Sequence, residues 1–318
     1  MSGPLTLVRG AIAAGPPGRL GRLGPRRRFA VNAFAGQILF AIVTFAAAVF
    51  AARLLGPGGK GELTAWTLVS GFGGLLLAGS IPTGFARLYL DGEAKDVPRS
   101  SLRHAALALS VLIVLTVPAV LLGIDLLGAV CFILVGVTAA VVIEDVVTVM
   151  IAAKRPWAVA LTRTARSLVL AAGLGIGLLT GASLGLAFGL WAAGSLLSMV
   201  VALFVARHLS GGEPMGLARS WGLGRGSATS RVSTAAVRRL DQLIVGAIAG
   251  LPALGLYNAA VNLSEVTEYA GAAIGHASFE SERTLDDDAA RRILRFSFGL
   301  LATVSCLLYT SPSPRDRS

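Results

Sequence analysis

Residues 26–63 read RRRFAVNAFAGQILFAIVTFAAAVFAARLLGPGGKGEL. Three arginines precede a run from Phe29 to Ala52 that carries no charge. About 20 apolar residues suffice to cross the hydrocarbon of a bilayer as a helix, so this run predicts a membrane span over 30–52. Gly56 to Gly61 then supplies a tight glycine turn, with positive φ expected at a helix C-cap. The next apolar run starts at Leu63.

The rest of the chain repeats this alternation. Candidate spans are 30–52, 63–85, 104–123, 127–151, 164–181, 184–206, 227–249 and 255–278, with an incomplete one at 293–305. Hydrophobic residues make up 54% and charged residues 14% of the 318, with mean hydropathy +0.74. A soluble domain carries about a quarter charged residues, so most of this chain has no water-facing surface to cover. The expected fold class is an all-α polytopic membrane protein.

The net charge of +11 does not point to nucleic acid, because the basic residues form no single face or domain. They recur between apolar blocks: Arg9 to Arg28 in the tail, then Arg87 to Arg103, Lys154 to Arg166, Arg207 to Arg239, and Arg283 to Arg295. Of the 28 basic residues only Arg53 and Lys60 fall on the other side, and Arg315 and Arg317 in the final tail. Lys and Arg collect on the cytoplasmic side, so the N-terminus is expected to be cytoplasmic, in a bacterial inner membrane. A secretory signal does not fit, since the first apolar run comes late, behind a long Arg-rich tail. Cys131 and Cys306 give neither a disulfide framework nor metal-ligand spacing. Cys306 to Asp316 reads CLLYTSPSPRD, which matches the translation of a transposase sequencing adapter. Residues 306–318 are therefore expected to be non-native, and the chain a fragment.

An internal repeat is visible at an offset of 194 residues. Leu55–Gly61 (LGPGGKG) aligns with Ala249–Gly255 (AGLPALG), pairing Gly56 with Gly250 and Gly61 with Gly255, then Ala65 with Ala259 and Phe85 with Phe279. A helix–turn–helix recurring six spans later has the same orientation. This predicts two lobes related by an axis along the membrane normal, with 1–28 a tail, 29–207 the N-lobe and 208–305 a partial C-lobe.

The turn LLGPGGKGEL, the later RRLDQLIVGAIAGLPALGLYNAAVNLSEV and the repeat together resemble the oligosaccharide-flippase branch of the multidrug/oligosaccharidyl-lipid/polysaccharide exporter superfamily. Arg239, Asp241 and Gly246 match the branch's span-seven pattern, and Leu254, Gly255, Tyr257 and Ala260 its span-eight pattern. The resemblance covers roughly 29–305 and marks the branch, not a cargo. It implies a two-lobed transporter fold, truncated here in the second lobe, that flips polyprenyl-pyrophosphate sugars. Its partners would be that lipid-linked substrate, membrane lipids and glycan-polymerising machinery.

Ionisable residues inside spans are costly and default to functional hypotheses. Here they are Glu144 and Asp145 in span four, Arg238, Arg239 and Asp241 in span seven, and Glu265 and Glu268 in span eight. Asn258, Asn262, Glu265 and Tyr269 share one face of span eight. That face either lines a wet cavity between lobes, the favoured reading, or bonds neighbouring helices. Arg238 and Arg239 suit a pyrophosphate, which the resemblance supplies, or a structural ion pair with span eight. Glu144 and Asp145 are about 100° apart on the helix, so one of them should face the cavity. With Glu268 they are candidates for proton or Na⁺ coupling, or anchors between helices. Arg87, after Pro82 and Gly84, is either a headgroup contact or an ordinary positive-inside anchor.

Several motifs fail. GPGGKGE is not a phosphate loop, because Lys60 is followed by Gly61 instead of Ser or Thr. Asn262-Leu263-Ser264 has a glycosylation spacing but lies inside a span. His104, His208 and His276 are scattered at expected helix ends, without metal-ligand spacing. No nucleophile–base arrangement, nucleotide motif or cofactor motif is present, so no enzyme activity, metal or cofactor is expected. The alternatives to a flippase are a cation-coupled multidrug extruder of the same superfamily and a membrane glycan polymerase.

Overall fold

The computed structural model describes residues 25–93, 96–121, 127–181 and 183–282, with positions 295 and 299 singly. The Arg-rich tail up to residue 24, the rest of the ninth apolar segment and 306–318 lie outside the described residues. The elements are α1 (Pro25–Ala78), α2 (Ile81–Leu90), α3 (Val97–Leu121), α4 (Leu127–Ala152), α5 (Pro156–Thr180), α6 (Leu184–Ala206), a 3₁₀ turn (Arg207–Leu209) and α7 (Leu217–Glu282). Among the described residues, strand-type pairing is limited to one isolated bridge between Asp96 and Pro214.

α1 has 54 residues and α7 has 66. As straight helices they would run about 80 and 100 Å, against about 30 Å of hydrocarbon. Both are broken at the expected glycines. Gly56 has φ 64° and ψ −178°, and Gly250 has φ 83° and ψ 176°. Each helix is therefore two arms, 25–55 with 57–78 and 217–249 with 251–282. Among the described residues six helices are long and apolar enough to cross a membrane, and these two are among them.

Small residues at helix contacts fix the directions. Gly36 approaches Ala160, Thr44 Oγ1 lies 2.9 Å from Ser167 Oγ, and Gly175 faces Phe50. The first arm of α1 and α5 therefore run parallel. Gly73 and Gly74 meet Val137 and Ala140, and Gly136 meets Ser70, so the second arm of α1 runs parallel to α4. Gly173 meets Leu190 while Gly194 packs on the Arg166 backbone, so α5 and α6 are antiparallel. Odd segments run one way and even ones the other, as successive crossings require. Close backbone approach at small residues is the usual means of packing helices in lipid.

The distribution of polarity is inverted relative to a soluble domain. Leu179, Ile248 and Val114 are 88%, 83% and 71% exposed, while Asp145 and Gln242 are fully buried. Apolar surface on this scale is not tolerated against water. The chain is an all-α polytopic membrane protein.

The helices extend beyond the apolar runs. α3 begins at Val97 rather than 104, α5 at Pro156 rather than 164, and α7 at Leu217 rather than 227. Apolar windows stop at the first charge, whereas a helix continues past it while long side chains reach for water. Pro156 stands at a first helical position, where its missing N–H costs nothing. Arg163 is thereby helical, and His104 lies inside α3 instead of at its end.

Gly61 and Gly255 are not turn residues. A Cβ on Gly61 would strike the carbonyl of Leu251, and one on Gly255 would strike the carbonyl of Pro57. Both pairs of partners are related by the offset of 194, and Thr64 Oγ1 donates to its own counterpart, Asn258 Oδ1, at 3.3 Å. The two glycine hairpins thus meet reciprocally, as equivalent surfaces do around a two-fold axis. These glycines serve close approach, not chain reversal.

Candidate functional site

Where the hairpins part, a cavity of about 420 Å³ opens between both arms of α1, α4, α5, α6 and α7. Its polar wall is built from several helices. The second arm of α1 contributes Lys60, Thr64 and Thr67, and α4 contributes Glu144. α5 adds Arg166 and Ser167, and α7 adds Arg239, Gln242, Asn258 and Asn262. Phe72, Leu170 and Trp191 supply apolar surface.

A chain of amides connects the arms of α7. Asn258 Nδ2 donates to Gln242 Oε1 at 3.1 Å, and Asn262 Nδ2 donates to Asn258 Oδ1 at 3.0 Å. Gln242 Nε2 is buried and has no hydrogen-bond partner among the described residues. Lys60 is buried as well, at 8% exposure, and has no acidic partner among the described residues. Arg166 sits 5.6 Å above the Trp191 ring, which also stacks on Phe132 with centroids 4.1 Å apart. Cation–π contact of this kind helps to hold a guanidinium in place.

The expected cavity residues divide. Arg239, Asn258 and Asn262 line the cavity; Arg87, Arg238 and Asp241 are not among the described residues that do. Arg87 donates to the Leu223 carbonyl at 2.9 Å and ties α2 to the start of α7. Arg238 is exposed. Asp241 accepts from the Tyr257 hydroxyl at 2.6 Å and so joins the two arms of α7. The side chains of Glu265, Glu268 and Tyr269 lie outside the described residues.

The two neighbouring acids on α4 also part company. Glu144 reaches the cavity and accepts from Arg231 Nη2 at 2.9 Å, bridging α4 to the first arm of α7. Asp145 turns into the helix bundle, where His104 Nδ1 meets its carboxylate oxygens at 2.9 and 3.1 Å. Glu144→Gln should weaken the bridge by about 0.5–1 kcal/mol, since the carboxylate is partly exposed and screened by water. A thermal-denaturation cycle with Arg231→Gln measures it; strict additivity would show that the pair contributes nothing.

Sequence reasoning missed Lys60, Arg166 and Gln242. Lys60 was assigned to an external turn and Arg166 to a connection, because both interrupt apolar runs. A usable signal exists for the helix face: Asn258 and Asn262 map by the offset of 194 onto Thr64 and Leu68, which also line the cavity.

Among the described residues no group of acids, histidines or cysteines is arranged to hold a metal ion. What fold and cavity define together is a multi-pass helical membrane protein with a partly cationic, amide-rich chamber enclosed among its spans. No protein-family model, curated protein or solved structure matches the chain.

Proposed function

We propose that the chain is the cargo-holding part of a flippase for sugars carried on a polyprenyl pyrophosphate. The cavity wall carries this reading: Lys60, Arg166 and Arg239 converge on one chamber, together with the unpartnered Gln242 Nε2. Arginine and lysine in a low-dielectric site suit phosphate oxygens. Amides such as Asn258 and Asn262, and an aromatic face such as Trp191, suit sugar hydroxyls and ring faces. The reciprocal hairpin contact supplies an interface about which two lobes would rock in alternating access. In this reading the membrane is the bacterial cytoplasmic membrane, with the basic helix ends inside.

The multidrug alternative calls for an anionic chamber. Among the described lining residues Glu144 is the carboxylate present, and it is already paired with Arg231. Organic cations would meet three like charges there, which disfavours that cargo.

Arg239→Ala should reduce export of the lipid-linked glycan about tenfold with the protein still at its normal level in the membrane, because one charge-assisted hydrogen bond contributes about 1.5–3 kcal/mol. Export of radiolabelled glycan in cells provides the measurement. Undiminished export would remove Arg239 from cargo binding.

A further inference from the structure

A second, smaller cavity lies between the first arm of α1, the end of α4 and the start of α5. It has a volume of about 50 Å³ and is lined by Gln37, Phe40, Ile151, Arg155, Val159 and Arg163, among others. Phe40 also lines the large cavity and stands between the two. By this measure a water needs about 10–15 Å³, so the space takes a phosphate-sized group and not a glycan. It opens outward at Ile151, which is 40% exposed.

Three observations describe its occupant. Arg155 and Arg163 bring two positive charges to the wall, and neither guanidinium has an acidic partner among the described residues. Arg155 is also the N-cap of the 25-residue α5, and no side chain caps that helix end, where the positive end of the helix dipole lies. Finally, the apolar stretch of α4 ends here, at Ala152, and the charged Lys154 and Arg155 follow it. That depth is the boundary between polar headgroups and hydrocarbon.

We propose that this cavity seats the phosphodiester of an anionic phospholipid, with Arg155, Arg163 and Gln37 around the phosphate and the acyl chains running outward past Ile151. Basic pockets between spans are a known form of lipid headgroup recognition. A soluble anion would gain the charges but leave the exposed apolar rim unused. The site is independent of what the large cavity carries.

The test uses the whole chain in phosphatidylcholine nanodiscs, titrated with phosphatidylglycerol and read by the lipid retained in native mass spectra. Phosphatidylglycerol should be retained in preference to phosphatidylcholine. Its affinity should fall about fivefold in Arg163→Gln and about 25-fold in Arg155→Gln/Arg163→Gln. Arg103→Gln/Arg225→Gln removes the same charge from exposed sites outside the cavity and should leave retention unchanged. Equal retention of the two lipids, an equal loss in the control pair, or displacement by inorganic phosphate would each overturn the proposal. If the double variant does not fold, the single Arg155→Gln and Arg163→Gln variants decide it by the same criteria.

Discussion

Gly61→Ala is expected to destabilise the protein by about 3 kcal/mol, while Gly58→Ala, three residues earlier in the same helix, should stabilise it by about 0.5–1 kcal/mol. The two substitutions add the same methyl group to the same arm. At Gly58 nothing lies within 4 Å of the new atom, so only the gain in helix propensity remains. At Gly61 the methyl meets the backbone carbonyl of Leu251, which cannot rotate away as a side chain can. The hairpins must separate, losing packing along both arms together with the Thr64–Asn258 hydrogen bond. Gly255→Ala should cost about the same, because it strikes Pro57 from the reciprocal position. The double variant should cost less than the sum, since one separation relieves both clashes. Thermal unfolding in detergent measures all four. A tolerated Gly61→Ala would mean that the hairpins do not meet at this residue.

The same contact illustrates what was legible in the sequence. Apolar runs located the spans because lipid leaves a helix little choice of composition, and Gly56 and Gly250 marked the breaks because positive φ favours glycine. The alignment of Gly61 with Gly255 was visible too, but not its meaning. Turn and close-approach glycines look alike until the partner backbone is known. Apolar windows begin too late where a helix starts with charged residues, which puts His104 at an expected terminus although it lies inside α3. Lys60 was read as external because a lysine beside a glycine turn normally faces water. Its burial depends on the second hairpin packing over it, information held 194 residues away. Asp145 and His104 are 41 residues apart and share no local pattern, so their pairing follows from helix packing alone.

That pair carries the other large expected effect. Both residues are at most 1% exposed, and His104 Nε2 donates to the Leu77 carbonyl at 3.2 Å. A carbonyl only accepts, so Nε2 carries a proton, and one further proton lies between Nδ1 and the carboxylate, which leaves the pair neutral overall. The imidazole thus links α3 to α4 and to the end of the second arm of α1. His104→Leu strands a carboxylate inside a packed apolar cluster containing Val141, Val142 and Phe85, and Asp145→Leu strands the imidazole. Each should destabilise the protein by about 3–5 kcal/mol, enough to lower its level in membranes sharply. Desolvation had already offset most of the attraction between the partners, so replacing both with leucine should recover much of the loss. The comparison separates anchoring from ion coupling. An anchor predicts that His104→Leu/Asp145→Leu restores folded protein together with whatever transport the chain supports. A coupling site predicts folded protein without transport, and that outcome would move Asp145 back among the residues that drive the cycle.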